Sequence, residues 1–277
     1  MSLLQTTGRT TAGILGRESW LVRRLRPLYE SFLDWASFGK GIPWPINNVS
    51  YRIDPRHRHR LGQNYDAQVA AYLRERVQPG AVCLDVGANV GVYVLQFAHW
   101  AGPTGRVIAF EPNPAARAVL QKHVKMNALT SQVKIVPAAI GASCGEAELY
   151  AADADGMSRL GEPNELIAAR TTKMTVALTT LDAYCELEDL KPDWLFIDIE
   201  GFEIAALKGA RRLIKSRGEK LGIIVEMHPG FWRSTGVTLD DAKSLLDELR
   251  LRAIPLTGQS DALNDYGLVA LTPLDAP

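Results

Sequence analysis

Apolar and polar positions along the chain follow two periods. Short apolar runs at 81–86, 106–110, 133–136, 194–199, 222–225, 252–256 and 267–271 read as strands, and stretches at 67–77, 115–126, 203–215 and 240–249 show helical spacing. A further helix opens just after the first run, through Val92, Leu95, Phe97 and Ala98. Pro79-Gly80 closes the 67–77 helix, and Pro114 suits the first position of the 115–126 helix. Segments at 146–151 and 173–178 read as β structure flanking a polar, Gly/Pro-containing loop at 153–170. Strands alternating with helices define an α/β protein with a mostly parallel sheet covered on both faces. Ligands of such sheets lie beyond the strand C-termini, at the switch in strand order.

The first sixty residues behave differently. Trp20, Leu21, Leu25, Leu28, Phe32, Leu33 and Trp35 recur near helical spacing, with Pro27 interrupting early, which predicts an amphipathic helix over 17–37. Its basic face and its Trp/Leu/Phe face suit either packing on the body or peripheral contact with a membrane surface. The stretch 41–48, rich in Pro, Trp and Asn, reads as a rigid loop, either an acceptor-pocket wall or a structural crossover. The division expected is an N-terminal extension, 1–60, followed by one catalytic domain, 61–277.

Composition narrows the class. An apolar content of 47 % is ample for a core, and no apolar run approaches the ~20 residues that span a bilayer. The first 16 residues carry no continuous apolar segment, so no secretory signal is expected. Cys83, Cys144 and Cys185 are too widely spaced for a disulfide framework or metal clip and suit a reducing cytoplasm. The net charge is zero but uneven: residues 1–60 hold ten Lys/Arg against four Asp/Glu, and residues 61–277 hold 21 against 27. Six surplus charges over sixty residues make a poor nucleic-acid arm, and no nucleic-acid partner is expected.

The chemistry gathers at the ends of the apolar runs. The first ends in Asp85 and breaks into Gly87-Ala88-Asn89-Val90-Gly91. A dinucleotide site would need G-x-G-x-x-G. Here an acid comes first and small residues follow at every second position. That order resembles motif I of the S-adenosyl-L-methionine (SAM) methyltransferases, D/E-x-G-x-G-x-G, with Asn89 as the middle residue. Asn tolerates the left-handed conformation well. An ordinary strand–turn–helix is the alternative. Glu111 stands 20 residues after Gly91, a spacing at which a carboxylate reaches both ribose hydroxyls, its alternative being a helix cap. Ala139, within the small apolar tip 137–141, suits an adenine face or a plain turn, and Asn127 suits a C-cap or a ligand. On a strand, Asp198 and Glu200 project to one side, with Glu203 in the next helix's first turn. His228 stands at the last tip, Val225-Glu226-Met227-His228-Pro229.

Together these tips resemble the FkbM family of SAM-dependent methyltransferases. The matching residues are D-V-G-A-N-V-G at 85–91, F-E-P-N-P at 110–114, Asn127, A-A-I-G at 138–141, D-I-E-G-F-E at 198–203 and V-E-M-H-P at 225–229. The family's usual Lys before the I-D-x-E-G segment is Phe196 here. The resemblance implies a class I, Rossmann-like methyltransferase with a mostly parallel seven-stranded sheet and helices on both faces; the N-terminal helical extension, residues 1–60, lies outside it. It implies cofactor contacts from Asp85, Gly87, Asn89, Gly91, Glu111, Asn113, Asn127, Ala139 and Asp198. It also implies O-methylation of a sugar, glycan or natural-product acceptor. For deprotonating the acceptor the candidates are Asp198 and His228, paired so that Asp198 orients the imidazole, with Glu200 and Glu226 assisting. Asp198 and Glu200 lack a clear third partner for a metal, so none is assigned. Transfer to nitrogen on protein or a small molecule, and a noncatalytic SAM-binding module, are the other readings. No N-P-P-Y or D-P-P-Y tetrad follows the 194–199 run.

Overall fold

The computed structural model describes residues 20–152, 158–161, 169 and 171–274. The expected loop at 153–170 and the start of the expected 17–37 helix therefore lie largely or partly outside the described residues. Helix α1 spans Trp20–Ala36 with Pro27 inside it. Strands β1 (Ile42–Ile46) and β2 (Val49–Ile53) form an antiparallel hairpin where the sequence suggested a loop. Pro43 and Pro45 argue against a strand in a wide sheet, but in an isolated pair their missing N–H groups disrupt no further ladder. Asn47 and Asn48, both at positive φ, close the two-residue turn.

After helix α2 (Ala67–Arg76), the body alternates: β3 (Val82–Val86), α3 (Val92–Trp100), β4 (Arg106–Phe110), α4 (Pro114–Met126) and β5 (Val133–Val136). An inserted small sheet follows, made of β6 (Ala138–Ile140), β7 (Gly145–Ala152), β8 (Arg159–Leu160) and β9 (Thr171–Thr179), in the order β6-β9-β7-β8. Then come α5 (Leu181–Leu187), β10 (Trp194–Ile197), α6 (Glu203–Lys208), α7 (Arg211–Arg217), β11 (Gly222–Met227), α8 (Pro229–Trp232), α9 (Leu239–Leu249), β12 (Leu251–Pro255) and β13 (Gly267–Pro273). The 203–215 helix is thus two helices. Gly209 marks the break, and a Cβ there would lie 2.1 Å from the carbonyl oxygen of Gly141.

The main sheet has seven strands in the order β12-β13-β11-β10-β3-β4-β5. Only β13 runs antiparallel to its neighbours; the other pairings are parallel. The order reverses between β3 and β10, which sets the ligand edge. Alternate residues serve two cores. Leu84, Val86, Leu195 and Val225 pack with α5, α6, α7 and α9 on one face, while Cys83, Phe196 and Ile224 pack with α2, α3 and α4 on the other. A third cluster seats the hairpin on the body, joining Ile42, Ile46 and Ile53 to Val90, Leu95 and Val119. At its centre is His123, fully buried. Its Nδ1 donates to the Val90 carbonyl at 2.7 Å, and its Nε2 accepts from the Asp54 N–H at 3.0 Å.

Candidate active site at the switch point

Register explains why the tips meet. Val86 pairs with Phe110 on one side and Ile197 on the other, and Ile197 pairs with Val225. Of the residues that follow this row, Gly87, Glu111 and Asp198 therefore leave the sheet side by side, next to Glu226, which β11 still pairs with Leu268 of β13. Gly87 (φ 86°) must be glycine, since a Cβ would sit 1.9 Å from the Asp198 carbonyl oxygen. Asn89 adopts the left-handed conformation its type tolerates (φ 47°). Its N–H donates to Glu111 Oε2 at 2.7 Å, while the Asn113 N–H donates to Oε1 at 2.8 Å. Glu111 is thereby held by two backbone donors and is not the cap of α4; Asn113 is, accepting from Ala115 N. Each Glu111 oxygen retains acceptor capacity for a ligand hydroxyl. Burial pushes its carboxyl up to about 7.

A cleft at this edge is lined by Gly87, Asn89, Glu111, Ala138, Ala139, Asp198 and Glu200, with Pro112, Ser158, Arg159, Leu160 and Phe202 among the other walls. Five of the expected cofactor residues, Gly87, Asn89, Glu111, Ala139 and Asp198, thus share one cleft. The other four stand elsewhere. Gly91 is the N-cap of α3, and a Cβ there would meet Leu120 Cδ1 at 2.5 Å, so its role is helix packing. Asn113 uses its amide on Ala152 O and Ser158 Oγ, tying α4 to the inserted sheet. Asn127 clamps β2, exchanging hydrogen bonds with the Arg52 backbone at 2.7 and 2.9 Å while capping α4. Asp85 is buried beneath the loop. Its carboxylate accepts from the Val94 N–H at the start of α3, and burial followed by the Glu111 charge raises it to about 8. Its Oδ2 and the Asn89 Oδ1 are buried without a hydrogen-bond partner. Those two orphaned acceptors and the Glu111 cradle fit a ligand bearing an ammonium group and a ribose.

Asp198 and Glu200 are the acids at the other end of the cleft, and Glu226, Glu203 and His228 stand behind Asp198, outside the cleft lining. Strand β10 stops at Ile197, so Asp198 and Glu200 do not share a strand face as expected; Glu200 already stands in the turn that Gly201 (φ 90°) completes. Asp198 hydrogen-bonds Glu226, and it is raised well above the usual carboxylate range by burial and then by the Glu226 charge. Two carboxylates so close share a proton. Tyr266 donates its hydroxyl to Glu226. The imidazole of His228 is oriented by Glu203 rather than by Asp198: Nδ1 donates to Glu203 Oε1 at 2.6 Å. Glu203 is fully buried and also accepts from Gly201 N (2.8 Å) and Trp232 Nε1 (3.0 Å). A group fixed by three donors at the base of the site outcompetes an acid already occupied with Glu226. Burial lowers the His228 pKa, but the Glu203 hydrogen bond and the surrounding carboxylates outweigh it, so the net shift is upward.

Asp198, Glu226 and His228 each offer one donor atom within 4.8 Å of the other two, and they are the residues here that could hold a metal ion. Glu200, which the sequence paired with Asp198, is not in that set. Sequence reasoning missed Glu203 as an orienting group, although its place in D-I-E-G-F-E was visible. It also missed Arg159, hidden in an expected loop. Arg159 is buried, donates to Ser234 Oγ at 2.8 Å and lies 4.1 Å over the Phe231 ring, yet its Nε has no partner.

The Methyltransferase FkbM domain model matches residues 85–252, a span holding every tip described above. The chain belongs to the FkbM methyltransferase family, and its cofactor is SAM, the methyl donor of that family. It is similar to the hexuronic acid methyltransferase AglP of Haloferax volcanii, 27 % identical over 193 residues that cover 67 % of this chain and 70 % of that one. It is 42 % identical to the 31-O-demethyl-FK506 methyltransferase FkbM of Streptomyces tacrolimicus over 64 residues, 22 % of this chain and 24 % of that one. Among solved structures, an S-adenosylhomocysteine-bound Podospora anserina methyltransferase, PaMTH1, aligns with a TM-score of 0.47 at 12 % identity, over 88 % of this chain and 95 % of that one. Among the described residues, no helix is long and apolar enough to cross a membrane.

Proposed function

We propose that this protein is a SAM-dependent O-methyltransferase acting on a hydroxyl of a sugar or glycan acceptor that bears an anionic group. The observation that carries the reading is the Glu203–His228 pair facing Asp198 and Glu226 at the edge where Gly87 and Glu111 emerge. When bound, SAM supplies a methyl group on a sulfonium, an electrophile with a good leaving group.

Glu111 would accept the ribose hydroxyls, Asn89 Oδ1 on the cleft wall would answer the ammonium group with the Asp85 carboxyl beneath the loop behind it, and Ala139 would border the adenine. His228 keeps its Nδ1 proton on Glu203, which leaves the Nε2 lone pair to take the acceptor's hydroxyl proton as the oxygen–methyl bond forms. Glu203 then stabilises the imidazolium. Asp198 and Glu226 orient the hydroxyl for in-line approach, and Glu200 borders the acceptor side. Arg159, a buried cation with an unused donor, pairs with the acceptor's carboxylate or phosphate. The hexuronic acid acceptor of the Haloferax relative supports an acidic sugar.

The test is S-adenosylhomocysteine release with hexuronic acid glycosides, neutral glycosides and amine acceptors in parallel. Release with acidic sugars ahead of neutral ones is expected. Turnover confined to amines, or cofactor binding without release on any acceptor, overturns the reading.

A further inference from the structure

Helix α1 is amphipathic in the wrong sense for a helix whose outer side meets only water. Its acidic residues face the body: Glu30 lies 3.4 Å from Arg58, Asp34 lies 3.4 Å from Arg56, and Leu33 is buried between them. Four of its apolar residues face outward. Leu25, Leu28, Phe32 and Trp35 recur at spacings of three and four, which makes one stripe. They are 49, 68, 43 and 72 % exposed, and Phe38, just past the helix, is 86 % exposed. Three of these five residues are aromatic, so leaving the stripe wet is costly.

The charges around the stripe say what covers it. Arg24 and Arg26 are exposed beside its start. Beyond Phe38 the chain reaches Gly39 and Lys40, which line a surface depression with Arg52, Lys122 and Lys125, all four cations exposed. The one acid of its lining, Asp34, already faces Arg56, and the buried Asp54, 3.5 Å from Lys122, is held by Arg56 as well, so the cations stay in excess. We propose that this face, the outward stripe of α1 and the adjoining basic depression, docks on a membrane surface bearing anionic phospholipid headgroups. The Leu, Phe and Trp side chains enter the headgroup–acyl boundary, and the lysines and arginines meet lipid phosphates and carboxylates. A second copy of this chain would set the same cations against themselves across a two-fold axis. Residues 1–19 offer one acid, Glu18, against Arg9 and Arg17, and so bring no negative charge to the depression. This docking is independent of the acceptor, because it requires no turnover.

The experiment is flotation of the full chain with phosphatidylcholine vesicles, with and without phosphatidylserine, at low and high salt. Binding is expected on the anionic vesicles, weakening as salt screens the basic residues. A Leu28→Ser/Trp35→Ser/Phe38→Ser variant and a separate Lys122→Glu/Lys125→Glu variant should each bind at least ~10-fold more weakly. Both should keep wild-type SAM affinity, which shows that they are folded. No flotation at low salt overturns the proposal, as does flotation that neither variant weakens. A dimer in solution that the serine variant dissociates, without vesicle binding, would assign the face to a second copy.

Discussion

At the scale of single residues, the site depends on carboxylates whose protonation the fold has displaced. Glu111 sits near 7 in the free protein because burial outweighs its two backbone donors. Ribose hydroxyls donate to the ionised form, so SAM affinity should increase as pH rises through about 7 and then level off. Calorimetry in buffers of different ionisation enthalpy should detect proton release on binding near pH 6. Glu111→Gln should weaken SAM at least ~10-fold and reduce that release to the share of Asp85, because a charge-assisted acceptor is lost. An unchanged affinity would remove Glu111 from the cofactor site. The Glu203–His228 pair makes a separate prediction. His228→Ala should lower kcat by ~10²–10⁴ with little effect on SAM affinity. Since the pair raises the imidazole pKa, the wild-type rate should rise with pH along a limb displaced above the ordinary His value. Glu203→Gln should move that limb to lower pH while reducing kcat, which loss of folding alone would not do.

At the scale of elements, the places where sequence and structure part have local causes. The central strands of the main sheet were legible as apolar runs, because strands buried on both faces leave few polar positions to interrupt them, whereas the edge strands β5 and β12 carry the exposed Lys134 and Arg252. Their ends were less legible. Ile199 prolongs the β10 run past the last paired residue, so a turn looked like strand, although Glu200 still borders the same cleft as Asp198. The hairpin was masked by two prolines that only an isolated strand pair tolerates. Asn113 and Asn127 lie in motif-like positions, but their side chains are spent on Ala152, Ser158 and Arg52, partners distant in sequence. The acids at the tips could be read because strand ends point to ligands; which acid holds His228 could not, since Asp198 and Glu203 are both plausible by number alone. The break between α6 and α7 has a test of its own. Gly209→Val would drive a side chain into the Gly141 carbonyl, and denaturant unfolding should register a loss of ~1–3 kcal/mol.

For the molecule as a whole, one sheet edge concentrates acids that the fold keeps from ionising. Asp85 is held near 8, Glu111 near 7 and Asp198 well above its ordinary value, each first through burial. Their folded values exceed the unfolded ones, so the folded state retains protons that the unfolded chain has lost. The cofactor-free protein should therefore lose stability as pH climbs from about 4 to about 8, and melting curves across that range should show the decline. SAM carries positive charge into the edge, so saturating cofactor should flatten the slope. A Tm that rises steadily over that interval without ligand would contradict the charge arrangement.

The His123 ring, bonded at one nitrogen to Val90 in the cofactor loop and at the other to Asp54 below the hairpin, makes the loop and the hairpin thermodynamic partners. The coupling is reciprocal: the free energy by which an ordered loop favours the seated hairpin equals that by which the hairpin favours the ordered loop. Loading with SAM should thus slow amide hydrogen exchange across residues 42–53, which lie outside the cleft. Removing residues 1–60 should in turn weaken cofactor binding as well as acceptor turnover, because the cofactor loop would lose the wall that holds its shape.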